Sequence, residues 1–261
     1  MTAEHPRETA VAIIPARFAS VRLPGKPLID LGGKPMIQRV HEQVKKATRV
    51  HRVIVATDDK KIADAVTRFG GEVVMTPPDV RTGTDRAALV ARSLDTADII
   101  VNVQGDEPLI PPQMIDEVVS LLALDPTALV GTLVQKIISP DELNNPNTVK
   151  VVLDRDGYAC YFSRAPIPYL RDETESEILS QHVWYGHLGI YAFRKKFLAQ
   201  FYSWDQSKLE KVEKLEQLRI IEHGYKIKTT VTEYRSISVD TPEDVERIRA
   251  IIKQQEATTH G

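Results

Sequence analysis

Four clusters of polar residues punctuate an otherwise apolar rhythm, and each carries groups able to do chemistry. The stretch Arg17-Phe18-Ala19-Ser20-Val21-Arg22-Leu23-Pro24-Gly25-Lys26 sets three cations and one hydroxyl within ten residues. Such a loop suits a polyphosphate, with backbone N–H groups and Ser20 donating while Arg17 and Lys26 neutralise charge. A solvated basic loop is the alternative reading. Its spacing fits neither G-x-G-x-x-G nor G-x-x-x-x-G-K-[ST], which argues against a dinucleotide dehydrogenase and a P-loop NTPase. The second cluster, Gln104-Gly105-Asp106-Glu107-Pro108, puts a carboxylate just after an apolar run. There it can hold a hard cation such as Mg2+ together with substrate phosphates, although turn formation also explains Gly105-Asp106. In the third, Val239-Asp240-Thr241-Pro242-Glu243-Asp244, Thr241 and Asp244 read as a capping box and Pro242 as a first-turn proline. Asp240 is left over, and with Asp106 it could supply the two protein carboxylates of a magnesium site. The fourth, Arg81-Thr82-Gly83-Thr84-Asp85-Arg86, is a turn entering a helix. Its amides favour an anion or a polar base edge; an ordinary N-cap by Thr82 or Thr84 is the alternative.

These clusters matter because of what precedes them. Val11 to Ala16 reads as a buried strand, and strands follow at Arg52 to Ala56, Glu72 to Met75, Ile99 to Val103 and Ala128 to Gln135. Between them run helical patterns: from Pro35, with Met36, Ile37, Val40, Val44 and Ala47 on one face; from Asp58-Asp59, with Ile62, Ala63, Val66 and Phe69; then Asp85 to Leu94 and Gln113 to Leu124. This alternation predicts an α/β fold with a mainly parallel, Rossmann-like sheet flanked by helices. Ligands of such sheets bind at the carboxyl ends of the strands, where the clusters fall. From Val149 to Phe193 the rhythm changes to strand-like runs around a Pro-rich turn and the polar stretch RDETESEILSQ, predicting a smaller β-rich insertion. A helix over Lys208 to His223, with Val212, Leu215, Leu218 and Ile221 inward, a strand at Lys228 to Val231 and a C-terminal helix complete the pattern. The expected organisation is a flexible tail over residues 1–10 and one domain over 11–257, with 149–193 as a subregion.

The 261 residues carry 34 basic and 36 acidic side chains, a net charge of -2, so the chain has no general electrostatic affinity for nucleic acid. A lone cysteine, Cys160, excludes an intramolecular disulfide framework and multi-cysteine metal sites and suits a reducing compartment. The polar N-terminus lacks a signal-peptide core, and no apolar run approaches the ~18 residues of a membrane span. A cytoplasmic protein is expected.

Together the segments IPARFASVRLPGKPL, GGKPMIQRV, VATDD, RTGTDR, VNVQGDEPLIPP, VKVVLD, YFSRAPIPY, HLGIYAF, KLEQLR and SVDTPED, in this order, resemble the 3-deoxy-manno-octulosonate (Kdo) cytidylyltransferase family. The resemblance runs from Val11 to Ile252. CMP-sialic acid synthetases share the PAR…S.RLPGK theme, but FSRAPIPY and LEQLR are similar to the Kdo enzymes. It implies a Mg2+-dependent nucleotidyltransferase that moves CMP from CTP to the anomeric hydroxyl of Kdo, releasing pyrophosphate, for lipopolysaccharide biosynthesis. By the same resemblance Arg17, Ser20 and Lys26 hold the triphosphate, and Arg81, Thr82, Gly83 and Gln104 surround the nucleoside. Asp106 and Asp240 bind metal, Arg164, His187, Tyr191, Glu216 and Gln217 contact the sugar, and the insertion contributes to a homodimer.

Residue types alone leave blander alternatives for the sugar group: His187 as an ordinary strand histidine, Tyr191 as core, Glu216 and Gln217 as an exposed helix face. Rival functions are a cytidylyltransferase for another acidic sugar (8-amino-Kdo or sialic acid), a glycosyltransferase, and a non-catalytic nucleotide-binding protein. A glycosyltransferase would want a D-x-D metal motif; Asp154-Arg155-Asp156 is the formal match, but Gly157 marks it as a turn.

Overall fold

The computed structural model describes residues 8–19, 23–171, 179 and 183–259. Ser20, the first seven residues of the expected tail and nearly all of the polar stretch after Arg171 lie outside them. The described residues form two compact units, one reaching to Asp116 and resuming at Tyr234, the other running from Glu117 to Glu233. The 149–193 segment falls inside the second.

In the first unit β1 (Ala10–Ala16) pairs in parallel with β2 (Val50–Thr57) and β4 (Ile99–Asn102), and β2 pairs in parallel with β3 (Glu72–Met75). Ala10 to Ile14 are buried without a break. An uninterrupted apolar run of this kind marks a parallel strand covered on both faces. The connecting helices are α1 (Met36–Val44), α2 (Lys60–Arg68) and α3 (Gly83–Ala91). Asp59 starts α2 by accepting from the amides of Lys61 and Ile62 at 2.8 and 3.1 Å, and Thr82 starts α3 by accepting from that of Asp85 at 3.0 Å. Each removes orphan donors from a helix start. Of the two readings for Thr82 and Thr84, the cap is therefore Thr82. Pro35 stands one residue earlier than a first-turn proline, as the N-cap of α1 with extended backbone.

The chain enters the second unit within α4 (Pro112–Leu124). Strand β5 (Val130–Lys136) there runs antiparallel to β8 (Tyr185–Arg194) and parallel to β9 (Lys228–Val231). Strand β6 (Lys150–Leu153) pairs antiparallel with β7 (Ala159–Ser163) and with β8, so the insertion is β-rich as its sequence predicts. The short α5 (Pro140–Asn144) and α6 (Lys195–Tyr202) flank these strands in sequence.

The single helix expected over 208–223 is two: α7 (Lys208–Glu213) and α8 (Leu218–Glu222). Ser207 and Glu210 form a capping box at the start of α7, and Lys214 ends it in the left-handed conformation with φ 56°. The Leu215 amide then reaches back to the Glu210 carbonyl at 3.3 Å, a Schellman-type closure made without glycine. The break resets the helical phase, so Val212 faces solvent at 80% exposure while Leu215 and Leu218 remain buried. The final helix, α9 (Pro242–Thr259), returns to the first unit, where Val245, Ile248 and Ile252 pack with Leu31, Met36 and Val239. Burial of side chains of this size contributes about 1.5–3 kcal/mol each, enough to pin the chain at Val239, one residue before Asp240.

Candidate active site

Lys26 sits on a 3₁₀ turn (Lys26–Leu28) that closes the basic loop. The turn depends on Gly25, whose φ of +69° is a left-handed conformation that side chains disfavour and whose added Cβ would meet the Phe18 ring at 3.3 Å. The Gly25 amide donates to the Phe18 carbonyl at 3.1 Å, drawing the loop shut behind Lys26. From there the Lys26 ammonium reaches Asp106 Oδ2 at 2.6 Å and Asp240 Oδ1 at 3.1 Å.

Two local devices make carboxylates so distant in sequence meet. Asp106 follows β4 through Gly105, which lies so close to the end of β1 that a Cβ would stand 2.8 Å from the Pro15 carbonyl oxygen. Asp240 is brought alongside by the Val239 amide, which donates to the Asp106 carbonyl at 2.9 Å. Behind it, the Asp244 carboxylate accepts from the Asp240 and Thr241 amides at 2.9 Å each, completing the capping box that starts α9. The result is an all-oxygen pair focused on one cationic atom. Hard divalent ions favour such donors and take one or two protein carboxylates, drawing the remaining ligands from water and phosphate. Among the described residues no group of three or more His, Cys, Asp or Glu forms a metal cage, so a divalent ion held here would complete its shell with water or phosphate oxygens.

Of the first unit's other candidates, Gly83 shares the Pro15 neighbour of Gly105. Gln104 adjoins Gly83, where a Cβ would lie 3.2 Å from the Pro15 ring and 3.8 Å from Gln104 Oε1. Arg81 Nε is 3.7 Å from the buried Asp85 carboxylate, and Arg17 donates from Nη2 to the Val80 carbonyl.

Sequence reasoning missed the supports beneath them. Arg86, fully buried, donates to the Thr76 hydroxyl and, at 3.1 Å, to Asp58. Burial pulls its pKa down, the Asp58 carboxylate pulls it back, and the charge of Arg17 opposes it again. The available signal was a charge four residues before Val90 on the buried face of α3, where it must find a partner. Asn102, also fully buried, ties β4 to α3 through Thr84 at 3.1 Å. Desolvation, with a smaller push from Asp106, raises the Glu107 carboxyl to about 7, opposed by the Ser236 hydroxyl. The sequence shows no sign of this.

In the second unit His187 and Tyr191 are partners, Nε2 to Oη at 2.7 Å, with Thr132 Oγ1 3.2 Å from the same nitrogen. Desolvation lowers the His187 pKa to about 3. It also raises that of Tyr191, helped by the charge of Glu216 and opposed by Thr132. Both side chains are neutral over the physiological range, a polar pair suited to hydroxyl groups. Gln217 is buried, and its amide nitrogen has no hydrogen-bond partner. Arg164 is tied to the turn after α7: Nε donates to the Glu213 carbonyl at 2.8 Å, Nη2 to that of Lys214 at 3.4 Å, and Nη1 to Pro146 at 2.9 Å. Among the described residues its guanidinium thus has carbonyl partners and no carboxylate, while the Glu213 carboxylate accepts from the Ser163 hydroxyl and the Arg164 amide.

A parallel sheet bearing a basic loop and two convergent aspartates at its carboxyl edge is the signature of a nucleotidyltransferase. The sequence pattern of the cytidylyltransferase family matches residues 11–227, and the chain belongs to that family. Within it, the chain is 51% identical over 248 residues to a 3-deoxy-manno-octulosonate cytidylyltransferase of Geotalea uraniireducens, covering 93% of this chain and 98% of the relative. A solved CMP:2-keto-3-deoxy-manno-octonic acid synthetase complexed with CTP superposes with a TM-score of 0.88 at 42% identity, over 95% of this chain and 100% of that one. A 4-diphosphocytidyl-2C-methyl-D-erythritol synthase from Anaerococcus prevotii shares the fold, with a TM-score of 0.62 at 17% identity over 95% and 100% of the two chains.

Proposed function

We propose that this protein transfers CMP from CTP to the anomeric hydroxyl of 3-deoxy-manno-octulosonate, giving CMP-Kdo and pyrophosphate. The observation that carries the reading is the meeting of Asp106 and Asp240 on Lys26, in a chain half-identical over nearly its whole length to relatives bearing that name.

In this reading Arg17 and Lys26, with Ser20, bind the triphosphate, while Arg81, Thr82, Gly83 and Gln104 surround the nucleoside. The sugar hydroxyl gives up its proton to solvent and its oxygen attacks the α-phosphorus as the bond to the β-phosphate oxygen breaks, and pyrophosphate leaves with the electron pair. Negative charge grows on the α-phosphate and the leaving group, so fixed cations provide most of the stabilisation. Lys26 and Arg17 neutralise that charge. Asp106 and Asp240 would hold Mg2+, which when bound adds further charge neutralisation and acidifies a coordinated hydroxyl. In the second unit Arg164 is the cation for the sugar's carboxylate, and its planar fork favours bidentate pairing. Neutral His187 and Tyr191, with Glu216 and Gln217, hydrogen-bond the sugar's hydroxyls. The unpartnered Gln217 amide supports this, because a buried donor without an acceptor is costly unless a ligand supplies one.

A CTP-using reaction supports a cytoplasmic setting, and no described helix is long and apolar enough to cross a membrane. A homodimer formed through the 149–193 segment belongs to the same reading. Purified protein with a divalent ion, CTP or UTP and a panel of Kdo, 8-amino-Kdo and sialic acid tests the assignment by pyrophosphate release. Release with CTP and Kdo alone is expected. Equal release with another sugar acid would reassign the substrate, and none with any would overturn the enzymatic reading.

A further inference from the structure

His187 and Tyr191 lie four residues apart on β8, a separation of about 13 Å along a regular strand. Their polar atoms are nonetheless 2.7 Å apart. The pairing register explains the contact: Thr132 faces Tyr191, yet the next residue, Leu133, faces Leu188. Gly189 and Ile190 are therefore extra residues on β8, a bulge of two. Tyr191 takes the position that residue 189 would hold in a regular ladder, next to His187 on the same face. The side chain opposite the bulge is Thr132. It is fully buried, and its hydroxyl spans the carbonyls of Leu188 at 3.1 Å and Ile190 at 2.7 Å while Oγ1 lies 3.2 Å from His187 Nε2. A single hydroxyl thus touches both shoulders of the bulge and the histidine against which the bulge sets Tyr191.

We propose that Thr132 is a positioning residue that holds His187 and Tyr191 in register, and thereby sets affinity for the sugar acid. The inference rests on the assignment of His187 and Tyr191 to the sugar. A group displaced by the order of 1 Å can cost up to about 100-fold, so Thr132→Val, which keeps shape and removes the hydroxyl, should raise the sugar KM by about 10- to 100-fold. The KM for CTP and kcat at saturating sugar should stay within about threefold of wild type, less than one hydrogen bond is worth. Thr132→Ser restores the hydroxyl and should restore the sugar KM. A purely structural threonine would instead lower the melting midpoint and change all three constants together, which would overturn the proposal, as would an unchanged sugar KM in Thr132→Val. His187→Ala and Tyr191→Phe separate the two levels. If neither alters the sugar KM, the sugar assignment fails; if both do and Thr132→Val does not, only the positioning role fails.

Discussion

The two units handle polarity in opposite ways. Around Lys26 the charges stay partly hydrated, with side-chain exposures of 14% for the lysine, 32% for Asp106 and 38% for Asp240. Around His187 and Tyr191, desolvation suppresses ionisation and leaves a neutral hydrogen-bonded pair. A polyphosphate and its metal demand full charges, and full charges are too costly to dehydrate without partners. A sugar's hydroxyls demand neutral donors and acceptors, which burial sharpens because each unmet bond then carries the desolvation cost. The difference predicts that changes in the first unit act on turnover and those in the second on sugar affinity.

The largest break should come from Asp106→Asn. Asp106 would act by holding the cation that faces the developing negative charge; loss of such stabilisation costs ~10²- to 10³-fold in kcat, and the melting midpoint should hold because the carboxylate is partly exposed. Gly105→Ala ranks next: its methyl would press on the Pro15 carbonyl at 2.8 Å. Overpacking of this kind costs about 1–3 kcal/mol, read in urea denaturation, together with a raised KM for CTP. Tyr191→Phe deletes one hydroxyl and should raise the sugar KM about tenfold, the worth of one hydrogen bond to a ligand, with the KM for CTP unchanged.

A pH series sharpens the contrast further. His187 titrates at 6.5 when unfolded and about 3 when folded, so between those values the unfolded chain binds more protons. Its stabilising contribution is whole above 6.5 and is lost as pH falls toward 3, at up to about 1.4 kcal/mol per unit. Glu107, raised to about 7, acts in the reverse sense from 4.5 to 7. The difference between wild type and His187→Asn isolates the histidine: wild type should lose stability faster on acidification, and parallel curves would contradict the lowered pKa. Smallest of all, Val212→Ser at an 80% exposed position should shift stability by less than about 0.5 kcal/mol.

Much of this was legible in the residues. Apolar runs and caps marked the strands and most helices, since burial and orphaned amides leave periodic traces; Glu72–Met75 and Lys228–Val231 match their expected bounds. Asp106 and Asp240 stood out because each follows such a run. The break at Lys214 escaped because any residue can take the left-handed form when two backbone bonds repay it, and none of its chemistry announces the choice. Thr132 and Asn102 escaped for a different reason: a lone hydroxyl or amide in a strand gains meaning only from a partner far away in the chain.

The central claim is that Asp106 and Asp240 serve one cation as a unit, and a double-mutant cycle on kcat tests it most directly. If they share one site, either Asp→Asn change already disables it, and the double variant should be about as slow as the worse single one. Losses that multiply, the double variant slower by the product of the two single effects, would show two independent carboxylates and contradict the account.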